Sequence, residues 1–389
     1  MKPIAFALTS LAVLARLGVA AAQPAPPAAA APPPAESSAT LPPPAPKSLE
    51  VGSGGGRWTP GALLQFWLYA SHQNMTPEGA TVPVADEDTL NMRLRRAELR
   101  VKGDIVPKRV LFQVMIDPAR ALEVSSKKVP VTGGGGGTVA VSQPPSDTGP
   151  LTIMQDFFIT FPSDYADVSV GQFKIPLSME GYGSSSKLLF PERAPIARKY
   201  GDRRDIGLRV EKKLGDHFMY MATLTNGTGQ NKADDDTEKD GALRLEGYLA
   251  GFTLGGVGYT TIGKREKSSR DRLEVDAKFD AYDAYVIAEY IHGWDSTGGG
   301  KASQGHGTYV EAGYTLFGHL QPMVRVGDIE NQMHHKGDHY WHYEGGAAWL
   351  FQKHEAKLTL AVARYVPTHP NPPSYPERTE GILAFQAGF

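Results

Sequence analysis

Two stretches of this chain concentrate the side chains best suited to holding an anion. Residues 91–110 carry Arg93, Arg95, Arg96, Arg100, Lys102, Lys108 and Arg109 against only Glu98 and Asp104. A second stretch carries Lys187, Arg193, Arg198, Lys199, Arg203 and Arg204 against Glu180, Glu192, Asp202 and Asp205. Arginine suits this work because its planar fork donates two parallel hydrogen bonds to a phosphate or carboxylate. Such clusters have two uses. They can hold a passing anion, or they can pair with nearby carboxylates and fix a segment to its surroundings. Glu192 beside Arg193 and Asp205 beside Arg204 invite the second use, and the two uses can coexist.

Other groupings carry less. His334, His335, His339 and His342 have a spacing at which imidazoles bind transition metals, but a polar surface loop is the favoured explanation. Asp236, Glu238, Asp240 and Gly241 begin like a calcium loop, but Gly247 stands where the twelfth position needs glutamate. Gly-Gly-Gly-Lys at 298–301 lacks the spacing of a phosphate-binding loop, and Ala302 replaces its hydroxyl residue. Neither G-x-S-x-G nor H-E-x-x-H is present. With no cysteine among 389 residues, disulfides, thiolate metal sites and cysteine nucleophiles are excluded. A formal net charge of −2 argues against nucleic acid as a partner.

The elements that must position the basic residues are strands. The chain opens as an export signal over 1–22: Lys2, an apolar run from Ile4 to Leu14, then Ala20-Ala21-Ala22 before Gln23. Residues 23–56 follow as an Ala/Pro-rich linker, expected to be disordered and periplasmic, with ten prolines between Pro24 and Pro46. From residue 57 to 389 the sequence alternates with period two in stretches of about ten residues. Leu273, Val275, Ala277 and Phe279 oppose Arg272, Glu274, Asp276 and Lys278, while Ala97, Leu99 and Val101 oppose Arg96, Glu98, Arg100 and Lys102.

Alternation alone would also fit a soluble sandwich. The connections decide. Short ones near Pro107, Asp164, Gly215, Tyr282, Gly318 and Lys353 interleave with long ones at 72–90, 119–150, 176–204, 225–240, 293–307, 329–339 and 366–379. Short turns on one side and long loops on the other build an outer-membrane barrel. Aromatics near strand ends (Trp67, Tyr69, Tyr290, Tyr340, Trp341, Trp349) suit the two interfaces, and the chain ends in a strand with Phe389. The expected fold is therefore all-β: a transmembrane antiparallel barrel of about sixteen strands, closed because a bilayer satisfies no backbone hydrogen bonds. At that size the lumen is a channel.

Residues 171–207 resemble the third-loop region of the phosphate-selective porin O and P family. The likeness rests on Gly171-Gln172-Phe173-Lys174, Pro176, Glu180, Glu192-Arg193 and Arg204-Asp205-Ile206-Gly207. Leu94-Arg95-Arg96-Ala97-Glu98-Leu99 is similar to that family's early strand. Pro191 departs from the pattern, and so does the Ala/Pro linker. The resemblance implies a homotrimer of sixteen-stranded barrels, each with a long loop folded inward as a constriction. It also implies a preference for small anions such as phosphate.

Strand parity places ten basic and eleven acidic residues on the inner face, so any selectivity must be local. The candidate anion path is Arg96, Arg100, Lys102, Lys187, Arg193, Arg198, Lys199, Arg203, Arg204 and Arg209. Expected partners are outer-membrane lipid and lipopolysaccharide, with no cofactor, resident metal or catalytic group. The function expected is passive diffusion of small hydrophilic solutes, anion-leaning and with phosphate as the family's solute. A non-selective porin, an outer-membrane enzyme and a closed cell-wall anchor remain as alternatives.

Overall fold

A computed structural model of the chain describes residues 49–51, 56–75, 85–122, 125–130, 138–143, 153–201, 203–234, 236–263, 268–297, 303–333, 338–368 and 377–389. The signal-like segment 1–22, most of the linker 23–56, the Gly133–Gly137 run, His334 and His335 lie outside these residues.

Sixteen antiparallel strands close into one barrel. In chain order they are β1 Gly56–Met75, β2 Ala85–Val106, β3 Val110–Ile116, β4 Met154–Phe161, β5 Asp167–Lys174, β6 Arg204–Leu214, β7 Phe218–Thr225 and β8 Lys239–Leu249. They continue as β9 Phe252–Ile262, β10 Ser268–Ala281, β11 Ala284–Thr297, β12 Ser303–Tyr314, β13 Leu320–Glu330, β14 His339–Gln352, β15 Ala356–Pro367 and β16 Arg378–Gly388. Each strand pairs with its neighbours in sequence, and β16 pairs with β1 from Gly388↔Leu63 to Arg378↔Gln73. The terminal Phe389 and Ala62 exchange backbone bonds at 3.0 and 3.2 Å beside that seam. Leu49–Val51, within the expected linker, adds a short strand against Gly56–Trp58, so ordered backbone begins before residue 57.

The alternation sorts the two faces. Leu243, Leu245, Leu273, Val275, Val310 and Val324 are about half exposed, as a lipid-facing surface requires, while Arg244, Glu274, Glu311 and Arg325 on the other face are buried. Tight turns join strands at one end. Tyr282 and Asp283 both take positive φ, which lets a two-residue turn follow the twist of its strands. A further tight turn at Ala250-Gly251 and a connection at 263–267 were not anticipated, because the run from 241 to 262 contains six glycines that blur its alternation. Strands also run further than expected at the long-loop end. β11 and β12 are separated only by 298–302, not 293–307. Pairing continues there through polar residues such as Asp295 and Ser303, which need no lipid-facing pattern above the bilayer.

The inner face is not polar throughout. Val257, Tyr259, Ile287, Ile291, Tyr309 and Ile329 point inward and are buried against Ile175, Leu177, Ala194, Ile196, Ala197 and Tyr200 of the segment 175–203. Leu189 and Phe190 pack likewise on Met323 and Ala361. A small apolar core therefore lies on the polar face of the sheet.

Candidate functional site: an arginine-lined gap beside the 175–203 segment

The segment between β5 and β6 carries a short helix α1 (Met179–Tyr182), a 3-10 turn (Ser185–Lys187) and a second helix α2 (Pro195–Tyr200). Ser178 caps α1, its hydroxyl accepting the Gly181 N–H at 3.1 Å. Pro195 opens α2, where its missing N–H costs nothing.

Wall carboxylates hold the first turn. Glu274 accepts the Ser178 N–H at 2.6 Å and Glu289 accepts the Met179 N–H at 2.7 Å. Glu180 receives Arg325 of β13 at 2.8 Å, and Arg325 also reaches Glu311 and Glu344 at 2.7 and 2.8 Å. Lys357 of β15 donates to the Leu188 carbonyl at 2.5 Å. The wall also leaves room for the segment. A Cβ on Gly293 would come within 2.7 Å of the Tyr200 ring, and one on Gly307 within 2.7 Å of Ile196 Cδ1. Glycine is needed at both places for this close approach.

Opposite, Glu192 accepts from Arg95 at 2.7 Å and Arg96 at 3.3 Å, with Arg198 at 3.8 Å. Burial opposes ionisation of Glu192, but Arg95, Arg96 and Arg198 together hold its carboxyl well below the usual range. The anticipated pairing within each dipeptide is corrected. Arg193 sends its side chain to the Glu180 carbonyl at 2.8 Å and to Ser185 Oγ at 3.2 Å. Arg204 pairs with Asp156 at 2.6 Å, while Asp205 accepts the N–H groups of Ile206 and Gly227. Arg204 and Asp205 are adjacent on β6 and point to opposite sides, so that dipeptide does not close on itself.

These contacts bring five arginines to one gap of about 10 Å3, room for about one water. Its lining is Arg95, Arg96, Arg120, Arg193 and Arg204 with Glu98, Asp117, Gln155 and Ser185. Across the Ser184–Lys187 turn lies a wider cavity of about 500 Å3, lined by Arg100, Lys187, Glu98, Lys353, His354 and the terminal Phe389 among others.

The predicted residues thus separate. Arg96, Arg193 and Arg204 meet at the gap, and Arg100 and Lys187 line the wider cavity. Lys102 is exposed beyond them. Arg198 is partly exposed beside Glu192, Arg203 donates to the Lys199 carbonyl at 2.8 Å, and Lys199 donates to the Asn331 carbonyl at 3.2 Å. Arg209 is buried over Phe158 and Phe173, 4.7 and 5.1 Å from the ring centroids, and bonded to Glu211 at 3.1 Å, which is a packing role.

Arg95 and Arg120 were missing from the predicted path. Strict alternation assigns Arg95 to the lipid side with Ala97. A bulge opposite Gln65 and Phe66 skips it: Gln65 faces Arg96 and Phe66 faces Leu94, so Arg95 and Arg96 are both buried on the inner side. Two adjacent arginines, Arg95-Arg96, inside an otherwise alternating run were the available signal. Arg120 comes from a 3-10 turn, Pro118–Leu122, that periodicity does not reveal. Of the histidine cluster, His342 points inward and is buried, while His339 lies on the outer face.

A closed, even-numbered antiparallel barrel with an apolar exterior and an arginine-rich interior is the construction of an outer-membrane porin. The chain belongs to the family described as phosphate-selective porin O and P, whose pattern it matches over residues 82–277, half of its length. Family and fold place it in the outer membrane and support a channel rather than an enzyme. No curated protein matches its sequence. Among solved structures it is similar to the outer-membrane channel DcaP of Acinetobacter baumannii, at 10% identity and a TM-score of 0.58, covering 86% of this chain and 98% of that one. It is also similar to an anion-selective porin from Comamonas acidovorans, at 10% identity and 0.56, covering 86% and 100%. OmpT of Vibrio cholerae, which has also been seen in a trimer form, aligns at 8% identity and 0.56, covering 88% and 100%. At such identities the likeness is one of fold.

Proposed function

We propose that this porin passes small anions, phosphate among them, and that the 175–203 segment folds into the lumen and narrows it. The observation that carries this reading is the gap beside the segment, whose lining among the described residues has five arginines against Glu98 and Asp117. Fixed positive charge between low-dielectric walls raises the local anion concentration and excludes cations. The gap has room for about one water, so an oxyanion passes in the wider cavity beside Arg100 and Lys187, within the field of the gap arginines. It is held there weakly enough to leave. Export by the 1–22 signal and assembly as a homotrimer in lipid and lipopolysaccharide complete the proposal, the latter supported by the family.

A second reading, a non-selective porin, is favoured by one observation. Glu192 and Asp156 bond gap arginines from outside the lining, bringing the acidic residues to four against five. The two readings part in a planar bilayer under a salt gradient. Anion-selective steps that phosphate blocks are expected. The combination Arg96→Gln, Arg193→Gln and Arg204→Gln should cut the anion-to-cation permeability ratio about tenfold, as loss of unit charges a few ångströms from the path requires. An unselective wild-type channel would keep the porin and discard the anion path.

A further inference from the structure

At the long-loop end, the outer face of the barrel carries a feature that the pore does not use. His292 of β11 stands opposite His306 of β12, His306 opposite Glu330 of β13, and Glu330 opposite His339 of β14. Four residues of metal-ligating type thus form one unbroken row across four strands. Their neighbours Gly293 and Gly305 face Tyr200 on the inside, so the row itself faces outward. Directly opposed residues have Cβ atoms about 4.5–5.5 Å apart, the separation at which two imidazoles can share one ion.

The details favour a ligand. The His292 and His306 rings lie nearly parallel with centroids 6.0 Å apart. His292 Nδ1 is 3.3 Å from the Tyr290 hydroxyl, while its Nε2 is shielded from solvent without a hydrogen-bond partner. His306 Nδ1 is likewise shielded and unbonded, 3.7 Å from Glu330 Oε2. His339 Nε2 lies 3.3 Å from Asp328 Oδ2, the kind of carboxylate contact that orients a ligating imidazole. Two buried imidazole nitrogens left unsatisfied on adjacent strands are costly in themselves, and an ion would satisfy both.

We propose that this row is a binding site for a divalent transition-metal ion of the zinc class, with His292, His306 and Glu330 as ligands and His339 beside them. Imidazole with one carboxylate is a donor set suited to such ions. Among the described residues no three donors already converge on a point. Binding therefore turns the side chains about χ1 and χ2 and draws them together, on a sheet that holds their Cα atoms in place. The ion sits outside the barrel at the level of Trp294 and Trp341, and the pore is untouched by it.

The test is calorimetric titration of zinc chloride into the full-length folded barrel in detergent, with His306→Ala and with His292→Ala/His306→Ala. One ion per chain is expected, with affinity at least about tenfold weaker in the single variant, since one of a few ligands is gone. Heat-modifiable gel migration and bilayer conductance should be unchanged in both variants, because these side chains face away from core and lumen. Absence of saturable binding in the wild type would overturn the site. So would unaltered affinity in the double variant, which would put the ion on other histidines.

Discussion

Arg325 on β13 and Arg244 on β8 are buried, and each meets three carboxylates: Glu180, Glu311 and Glu344 for the first, Glu246, Glu274 and Asp276 for the second. Among the described residues, the five arginines of the gap lie beside four carboxylates, Glu98, Asp117, Asp156 and Glu192, around a space for about one water. Both regions set largely buried arginines among carboxylates. They differ in the ratio of acid to base around each guanidinium. Where acid is in excess the arginine is a rivet, and its charge is spent on structure. Where base outnumbers acid, the region is the one on which the proposed anion preference draws.

The largest expected effect comes from breaking the rivet. Arg325→Gln leaves three carboxylates buried without their cation and should destabilise the barrel by about 3–5 kcal/mol, the usual cost of removing one partner of a buried ion pair. The measurement is the temperature of the heat-induced gel shift, alongside single-channel recording. An unchanged transition would mean the three-carboxylate cluster does not hold the 175–203 segment.

A smaller effect, of opposite sense for selectivity, is expected at Glu192. Its carboxyl is held well below the usual range by Arg95, Arg96 and Arg198, so it is ionised at neutral pH and cancels part of the gap charge. Glu192→Gln should raise the anion-to-cation permeability ratio several-fold, by the same screened Coulomb reasoning. A reversal potential that moves towards cations instead would show that Glu192 matters for holding arginines in place, not for the sum of charge.

The smallest effect is a pH dependence. Burial, against the pull of Asp295, lowers the Lys199 ammonium to about 8. A depressed ammonium is charged below that value and neutral above it. Anion preference should therefore decline slightly between pH 7 and 9, and Lys199→Arg should flatten the profile because guanidinium stays charged. A decline that persists in that variant would assign it to another group.

Much of this was legible from the chain. The outward Leu273, Val275 and Phe279 against the inward Arg272, Glu274 and Asp276 announce a strand between lipid and a polar interior. The long and short connections fix which end is which. Less legible was anything set by two elements at once. Tyr285-Val-Ile-Ala-Glu-Tyr-Ile on β11 is apolar on both faces, and only the packing of Ile196 and Tyr200 onto Ile287 and Ile291 explains why. The partners of Arg193 and Arg204 lie on other elements, so adjacency suggested the wrong acids. Arg209 has the charge and the inward position of a path residue, yet Phe158 and Phe173 enclose it.

The bulge at Arg95 has a consequence for how such a pore can change. On one side of it Leu94 faces lipid, and on the other Ala97 and Leu99 do, with Arg93 and Arg96 inward throughout. Removing Arg95 would leave a strand of unbroken alternation. Inserting it adds a guanidinium to the gap without moving any lipid-facing side chain to the wrong side. A single in-frame codon, gained or lost at this point, would reset the charge of the channel while the membrane-facing wall stayed as it was.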